Sequence, residues 1–303
     1  MAPQPARAVA PSQSRVVSHI PEELTRGTLC RLGEGIGKVV YASEHWVVCR
    51  ERTPLEMVAL ILLWKALRKL EWLLPGAWGK RLRDRPSRQI RFLRVLVQGA
   101  ILIFPRALWF SSHIREVLRL YHRRSVRGEK LAQIHLAGSD LIPERIEFPP
   151  ERVRIGGWPG WLMVSEAAER VDTTLHQKMT QLATEDRFDE LEEWLERLLV
   201  TRQAGWRLGL FSLDAHLKNF GTIGERIVLL DTGGLTNRWG EVEKRLAEEE
   251  STTQPHVRLG LGALLEEHAE IARRFDQRWK DTINRDVVRE CWPGREGKEV
   301  TAS

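Results

Sequence analysis

A chain of 303 residues with 42% apolar and 29% charged side chains can bury one large core or two cores flanking a cleft, which excludes a disordered chain. Its three cysteines, Cys30, Cys49 and Cys291, form no C-x-x-C pair. That excludes a disulfide framework or a cysteine zinc site and fits a reducing compartment, with Cys30 and Cys49 read as small core residues. The net charge of +6 conceals a division: Thr53 to Gly128 hold 16 Lys/Arg against 4 Asp/Glu, so the rest of the chain is acidic.

Residues 1–24 are rich in Pro, Ala, Ser and Gln and lack an apolar h-region, so they read as a disordered tail and not a secretory signal. The stretches "TLCRLGEG", "KVVYAS" and "HWVVCRER" follow as three short antiparallel strands, with Gly33, Gly35 and Gly37 at the first hairpin tip. The glycine stretch is no Walker P-loop. From Gly33 to Lys38 it is one residue short, Val39 stands where a metal-binding hydroxyl belongs, and "VVYA" suits a strand, not a helix.

The basic segment, 53–126, reads as a helical insertion. Lys65, Arg68 and Lys69 share one helical face, Arg88, Arg91, Arg94 and Gln98 recur opposite Phe92, Val95, Leu96 and Val97, and Trp64, Trp72, Trp78 and Trp109 are interleaved. Two readings stand side by side. Such helices can lie in an anionic membrane interface, with a cationic rim, an apolar floor and aromatic anchors. They can equally pack as a subdomain with their arginines in water. The longest apolar run, "VLVQGAILIFP", is 11 residues, against the roughly 20 that a crossing helix needs. Nucleic acid is not an expected partner, because the Trp and Leu content exceeds what phosphate contact requires.

Beyond the insertion, "EKLAQIHLAG" reads as a helix ended by Gly138. "RIEF", "VRIGG" and "GWLMVSEA" read as strands, the last a buried apolar run. "DRFDELEEWLERLLVTRQAG" is helical, since Phe188, Leu191, Trp194, Leu195, Leu198 and Leu199 follow i, i+3, i+4 spacing. A loop, "LGLFSLDAHLKNFG", precedes the short strand and glycine turn of "RIVLLDTGG"; the remainder is mostly helical, and 293–303 reads as a second loose tail. The division is a strand-rich part, 25–165, and a helix-rich part, 166–292, of the α+β class.

The chemistry lies in "LDAHLKNF" and "LLDTGG". Asp214 and Asn219 are five residues apart, and Asp231 ends an apolar strand a dozen residues later. Phosphoryl transfer to a hydroxyl uses such oxygen donors: one carboxylate accepts the acceptor's proton, while an amide and a second carboxylate hold magnesium against nucleotide phosphates.

This order of glycine hairpin, strand with a terminal basic residue, D-x-x-x-x-N and D-x-G resembles the protein-kinase-like superfamily over residues 28–52 and 127–235. The "DAHLKN" form is similar to aminoglycoside phosphotransferases and to bacterial lipopolysaccharide core kinases. The resemblance implies a two-lobed kinase-like fold: an antiparallel-sheet N-lobe carrying the basic insertion and a mostly helical C-lobe. It implies Asp214 as catalytic base, Asn219 and Asp231 as magnesium ligands, and His216 as a brace of the catalytic loop. Gly33, Gly35, Gly37 and Lys38 would cover the phosphates, Glu129 would be the helix glutamate of the nucleotide site, and backbone groups from Ser165 through Glu166 to Ala167 would meet adenine. Arg50 falls where the family has its phosphate-gripping lysine, and the G-x-G-x-G spacing is tighter than the family's.

The activity implied is ATP- and Mg2+-dependent phosphorylation of a hydroxyl on a sugar or lipid-linked sugar. The place implied is the cytoplasm, peripheral at the inner face of the plasma membrane. The alternatives are a pseudokinase acting as a membrane-surface adaptor, motivated by Arg50 and the tight glycine loop, and a protein Ser/Thr kinase.

Overall fold

The computed structural model describes residues 15–34, 37–53, 56–57, 60, 112–157, 159–214 and 216–293. Gly35, the helices expected within 61–111, and the outermost parts of both tails lie outside the described residues.

The chain forms a mixed α+β structure, with sheet in its N-terminal region and helices in its C-terminal part. Strand β1 (Arg15–Val16) and the short helix α1 (Glu22–Thr25) come first. Strands β2 (Thr28–Glu34), β3 (Lys38–Ala42) and β4 (Trp46–Glu51) then form an antiparallel meander. Strands β5 (Arg145–Ile155) and β6 (Trp161–Glu169) complete a six-stranded sheet in the order β1-β5-β2-β3-β4-β6, in which β6 also pairs with β5 and closes the sheet on itself. Period-two alternation sorts the faces. Val39, Tyr41 and Val48 enter the core with Leu29, Phe148, Val153 and Val164, while Lys38, Val40 and Cys49 stand on the other face.

Several expectations change here. Residues 15–24 are part of the fold: β1 pairs in parallel with β5, Leu24 is fully buried, and Val17 and Ile20 pack on the same core. Three apolar anchors among polar neighbours are too sparse to read as an element, but they suffice to tie a segment to an existing sheet. "RIEF" and "VRIGG" are one strand; Pro149 and Pro150, which cannot donate to a ladder, sit within the register shift between Glu147 and Glu151. Strand β6 is not uniformly buried, since Trp161 and Met163 are exposed while Val164 and Ala167 are inside. Cys30 and Cys49 are exposed, on the open sides of their strands.

Helix α2 (Ser112–His135) is longer than "EKLAQIHLAG" and begins inside the basic segment. It ends before Gly138, whose φ of 72° turns the chain, a conformation open to glycine. Among the described residues no helix is long and apolar enough to cross a membrane.

In the C-terminal part, strand β7 (Thr173–Thr174) leads into helix α3 (Leu175–Thr184), where Thr174 and Gln177 form a reciprocal capping box. Helix α4 (Phe188–Arg207) follows; then come β8 (Phe211–Ser212), β9 (Phe220–Ile223), β10 (Arg226–Leu229) and β11 (Leu235–Thr236). Helices α5 (Trp239–Glu250), α6 (Pro255–Leu259), α7 (Gly262–Leu265), α8 (Ala269–Thr282) and α9 (Arg285–Cys291) finish the chain. The α4 stripe of Leu191, Trp194, Leu195, Leu198 and Leu199 packs with Met179, Phe275 and Trp279 in a second core. Leu131 and Ala132 of α2, and Leu136 just after it, belong to this second core, although the sequence division groups this helix with the sheet.

Candidate active site

Two short antiparallel ladders hold the loop that carries Asp214. Strand β8, just before it, pairs with β11; strand β9, just after Asn219, pairs with β10 and β7. The backbone amide of Leu213 donates to the Gly234 carbonyl (2.9 Å) and that of Leu230 to the Asn219 carbonyl (2.8 Å), which lashes the Asp214 loop to the Asp231 turn at two points. A Cβ placed on Gly234 would lie 3.4 Å from the Asp214 Cβ, and one on Gly233 would lie 3.1 Å from Asp231 Oδ1. The two carboxylate residues therefore flank one pair of glycines, and both line a cavity of about 600 Å³.

Of the two oxygen donors expected to hold a metal, Asp231 lines this cavity and Asn219 does not. Asn219 Nδ2 donates to the Asp214 carbonyl at 3.4 Å, which leaves its amide oxygen without that duty. Asp231 Oδ1 accepts from the Gly233 amide at 2.8 Å, leaving Oδ2 for another partner. No group of three or more His, Cys, Asp or Glu side chains able to hold a metal occurs among the described residues. Two oxygen donors fit magnesium, which keeps several waters or phosphate oxygens of its own and needs few protein ligands.

His216 precedes the 3₁₀ turn Leu217–Asn219, and its Nδ1 accepts from the Lys218 amide at 3.2 Å. Its own amide donates to Asp214 Oδ1 at 3.2 Å, so the residue fixes that carboxylate from behind. Burial lowers the proton affinity of the ring, and Lys218 lowers it further. Gly260, at φ 96°, closes against this ring: a Cβ there would meet His216 Cε1 at 3.0 Å.

On the sheet side, Lys38 Nζ reaches Glu129 Oε1 of α2 at 3.4 Å, with Arg145 behind the same oxygen at 3.9 Å. Arg50 does not join them. It stands on the opposite face of β4, where its guanidinium donates to both oxygens of Glu56 (3.1 and 2.8 Å). The pairing of Val40 with Cys49 and of Val39 with Arg50 explains this, because one position along a strand reverses the face. Cys49 takes the Lys38 face, with Lys38, Glu166, Arg145 and Glu129 as its charged neighbours.

Glu166 and Ala167 are not in the connection between sheet and helices. They lie within β6, opposite Glu147 and Ile146 of β5, and Ala167 is buried. The crossing is made by Arg170 to Asp172, whose end residues donate to the His45 and Thr222 carbonyls (2.8 Å each). Gly33 lies at a register shift between β2 and β3 with open space where a Cβ would be, and Gly37 follows the tip.

Gly128 was not singled out from the sequence. A Cβ on it would sit 1.9 Å from the Thr232 carbonyl oxygen, so α2 presses its bare backbone on the turn that carries Asp231. The signal was present: a glycine inside a helix costs about 1 kcal/mol relative to alanine and asks for a packing reason. Arg124, Lys244 and Arg245, which line the cavity with the two aspartates, carried no such mark. Neither a known family model, nor a curated protein, nor a solved structure matches this chain.

Proposed function

We propose that this chain is an ATP- and Mg2+-dependent phosphotransferase of the two-lobed, protein-kinase-like type, acting on a hydroxyl group. The observation that carries the reading is the shared cavity of Asp214 and Asp231, which are seventeen positions apart in sequence and lashed together through Asn219 and Gly234. The sheet order along β2-β3-β4-β6-β5, with a helix glutamate reaching a lysine of that sheet, supports the two-lobed arrangement. In this reading Lys38, not Arg50, grips nucleotide phosphate, and Glu129 holds it in place; a lysine on β3 does what the family's lysine does from the strand that here carries Arg50, β4.

Asn219 and Asp231 would hold magnesium, which supplies charge neutralisation on the phosphates. Asp214 would orient the acceptor hydroxyl and take its proton as the new O–P bond forms and the β–γ bridging bond breaks, with ADP leaving. His216, kept neutral by burial, acts as a positioning residue. Catalysis would rest mainly on positioning and electrostatics. A sugar or lipid-linked sugar at a membrane surface remains the proposed acceptor, supported by the "DAHLKN" loop and the basic segment of the sequence.

Phosphate transfer from γ-labelled ATP to a bacterial envelope extract, with Asp214→Ala as control, tests the reading. Label incorporated by the wild type and lost in the variant is expected. Absence of any thermal shift with Mg·ATP would overturn it in favour of an adaptor that keeps the fold without the chemistry.

A further inference from the structure

The cavity beside Asp214 and Asp231 has a second wall that the reaction outlined above does not use. Four cations line it: Arg124 and Arg127 from α2, Lys244 and Arg245 from α5. Two are already neutralised. Arg127 donates to Glu241 (3.0 Å) and Thr236 (3.0 Å), and Arg245 donates to Glu248 (2.8 Å). Arg124 and Lys244 make no hydrogen bond or ion pair among the described residues, although the carboxylate of Glu248 acts on Lys244 through space, and both are exposed residues of the cavity lining.

Glu241 and Glu248 line the same cavity and are taken up by Arg127 and Arg245; further arginines stand behind Asp214. A smaller cavity of about 230 Å³ is lined by Asp214, His216, Arg245, Glu249, Arg258 and Trp279. There Arg245, through Nε (3.5 Å), and Arg258 (3.1 Å) share one buried carboxylate, Glu249. Arg202 lies deeper, 5% exposed, all three of its nitrogens without partners and its guanidinium among Trp206, Phe211 and Trp279. Arg202, Arg245 and Arg258 stand around Glu249, and Arg245 also pairs with Glu248, so the arginines on this side of Asp214 exceed the glutamates by one. Neither Lys38 nor Glu129 lines either cavity, so these cations are separate from the pair assigned to nucleotide.

Unpaired cations on a cavity wall are stabilised by an anion, and an anion held there would stand beside the carboxylate that receives the acceptor hydroxyl. We infer that the acceptor carries a phosphate or carboxylate group of its own, bound between Arg124 and Lys244 while its hydroxyl meets Asp214. This rests on the phosphotransferase reading for the role of Asp214, but the anion site itself does not. In the transfer the hydroxyl proton passes to Asp214, the acceptor O–P bond forms, and ADP departs with the electrons of the broken bridging bond.

The test is calorimetric titration of the full chain at constant ionic strength with glucose 6-phosphate, glucuronate and glucose, each with and without saturating Mg2+ and a non-hydrolysable ATP analogue. The wild type is expected to bind one of the two anionic probes at least tenfold more tightly than glucose, with the nucleotide analogue present as well as absent. Preference for glucose 6-phosphate assigns a phosphate; preference for glucuronate assigns a carboxylate. The Arg124→Ala/Lys244→Ala double variant, which truncates two exposed side chains, is expected to reduce that preference to within twofold, and Lys244→Arg to keep it. Equal binding of all three probes by the wild type, or a preference that survives in the double variant, would overturn the inference. Displacement of the anionic probe by the nucleotide analogue would also overturn it, by showing a nucleotide phosphate site. An analogue that fails to bind while the anion preference stands would instead count against the phosphotransferase reading alone.

Discussion

Lys38 and Glu129, ninety-one positions apart in sequence, meet at 3.4 Å across the gap between the sheet and helix α2, and both keep partial exposure there. A lysine so placed has its charge held by a carboxylate but not consumed by it, and it can turn to a phosphate without leaving its strand. Lys38→Met is expected to lower kcat/KM by about a hundredfold or more, the scale of removing one preorganised cation from a developing charge. Arg50→Ala is expected to leave nucleotide affinity within about twofold and to cost about 1 kcal/mol of stability through the lost Glu56 bonds. Nucleotide titration and denaturant unfolding of the two variants check this pair, and the reverse ranking would return the role to Arg50.

The two aspartates should fail differently. Asp214→Ala is expected to reduce kcat about a thousandfold while Mg·ATP still binds, as for loss of a general base. Asp231→Ala is expected to abolish the magnesium dependence of nucleotide binding. Equilibrium binding with and without magnesium, beside single-turnover rates, separates the outcomes; equal effects of both changes on binding would refute the division of labour.

Gly128→Ala places a methyl group 1.9 Å from a backbone oxygen that cannot rotate away. The expected cost is about 1–3 kcal/mol, the scale of overpacking, in spite of alanine's better helix propensity. A variant as stable as the wild type by denaturant unfolding would show that α2 and the Asp231 turn do not press together.

His216 takes up a proton less readily in the folded chain than in an unfolded one, because burial and Lys218 oppose the charge and outweigh the attraction of Asp214. Its contribution to stability is therefore complete above the ordinary histidine value of about 6.5. It is lost as pH falls through the lower folded value, since the unfolded chain protonates first. The Tm of the wild type should fall more steeply between pH 7 and pH 5 than that of His216→Asn. Parallel curves would remove His216 as a source of the acid sensitivity.

Much of this was legible because local patterns and tertiary needs agree. The i, i+3, i+4 stripe of α4 is both its helical signal and its buried face. The strand–turn–strand order around Asp214, Asn219 and Asp231 reflects ladders that close over short distances. What escaped depends on contacts between distant segments. Which face Arg50 takes is decided by the register of β3 on β4, and a one-residue difference in register exchanges Arg50 for Cys49. The extent of β6 past Ala167 is decided by partners in β4 and β5. The tethering of residues 15–24 needs β5, more than a hundred positions away. The value of Gly128 is visible only once the Thr232 carbonyl is known to lie over it.

Helix α2 carries Arg124 on the cavity wall, Gly128 against the Asp231 turn and Glu129 against Lys38, all within two turns of one rod. At roughly 1.5 Å per residue its first residue, Ser112, stands about 25 Å from Glu129. A force applied at that far end, where the cationic stretch of the chain runs into the helix, would tilt the Asp231 turn, the lysine partner and the cavity wall together, as a lever moves everything fixed near its fulcrum.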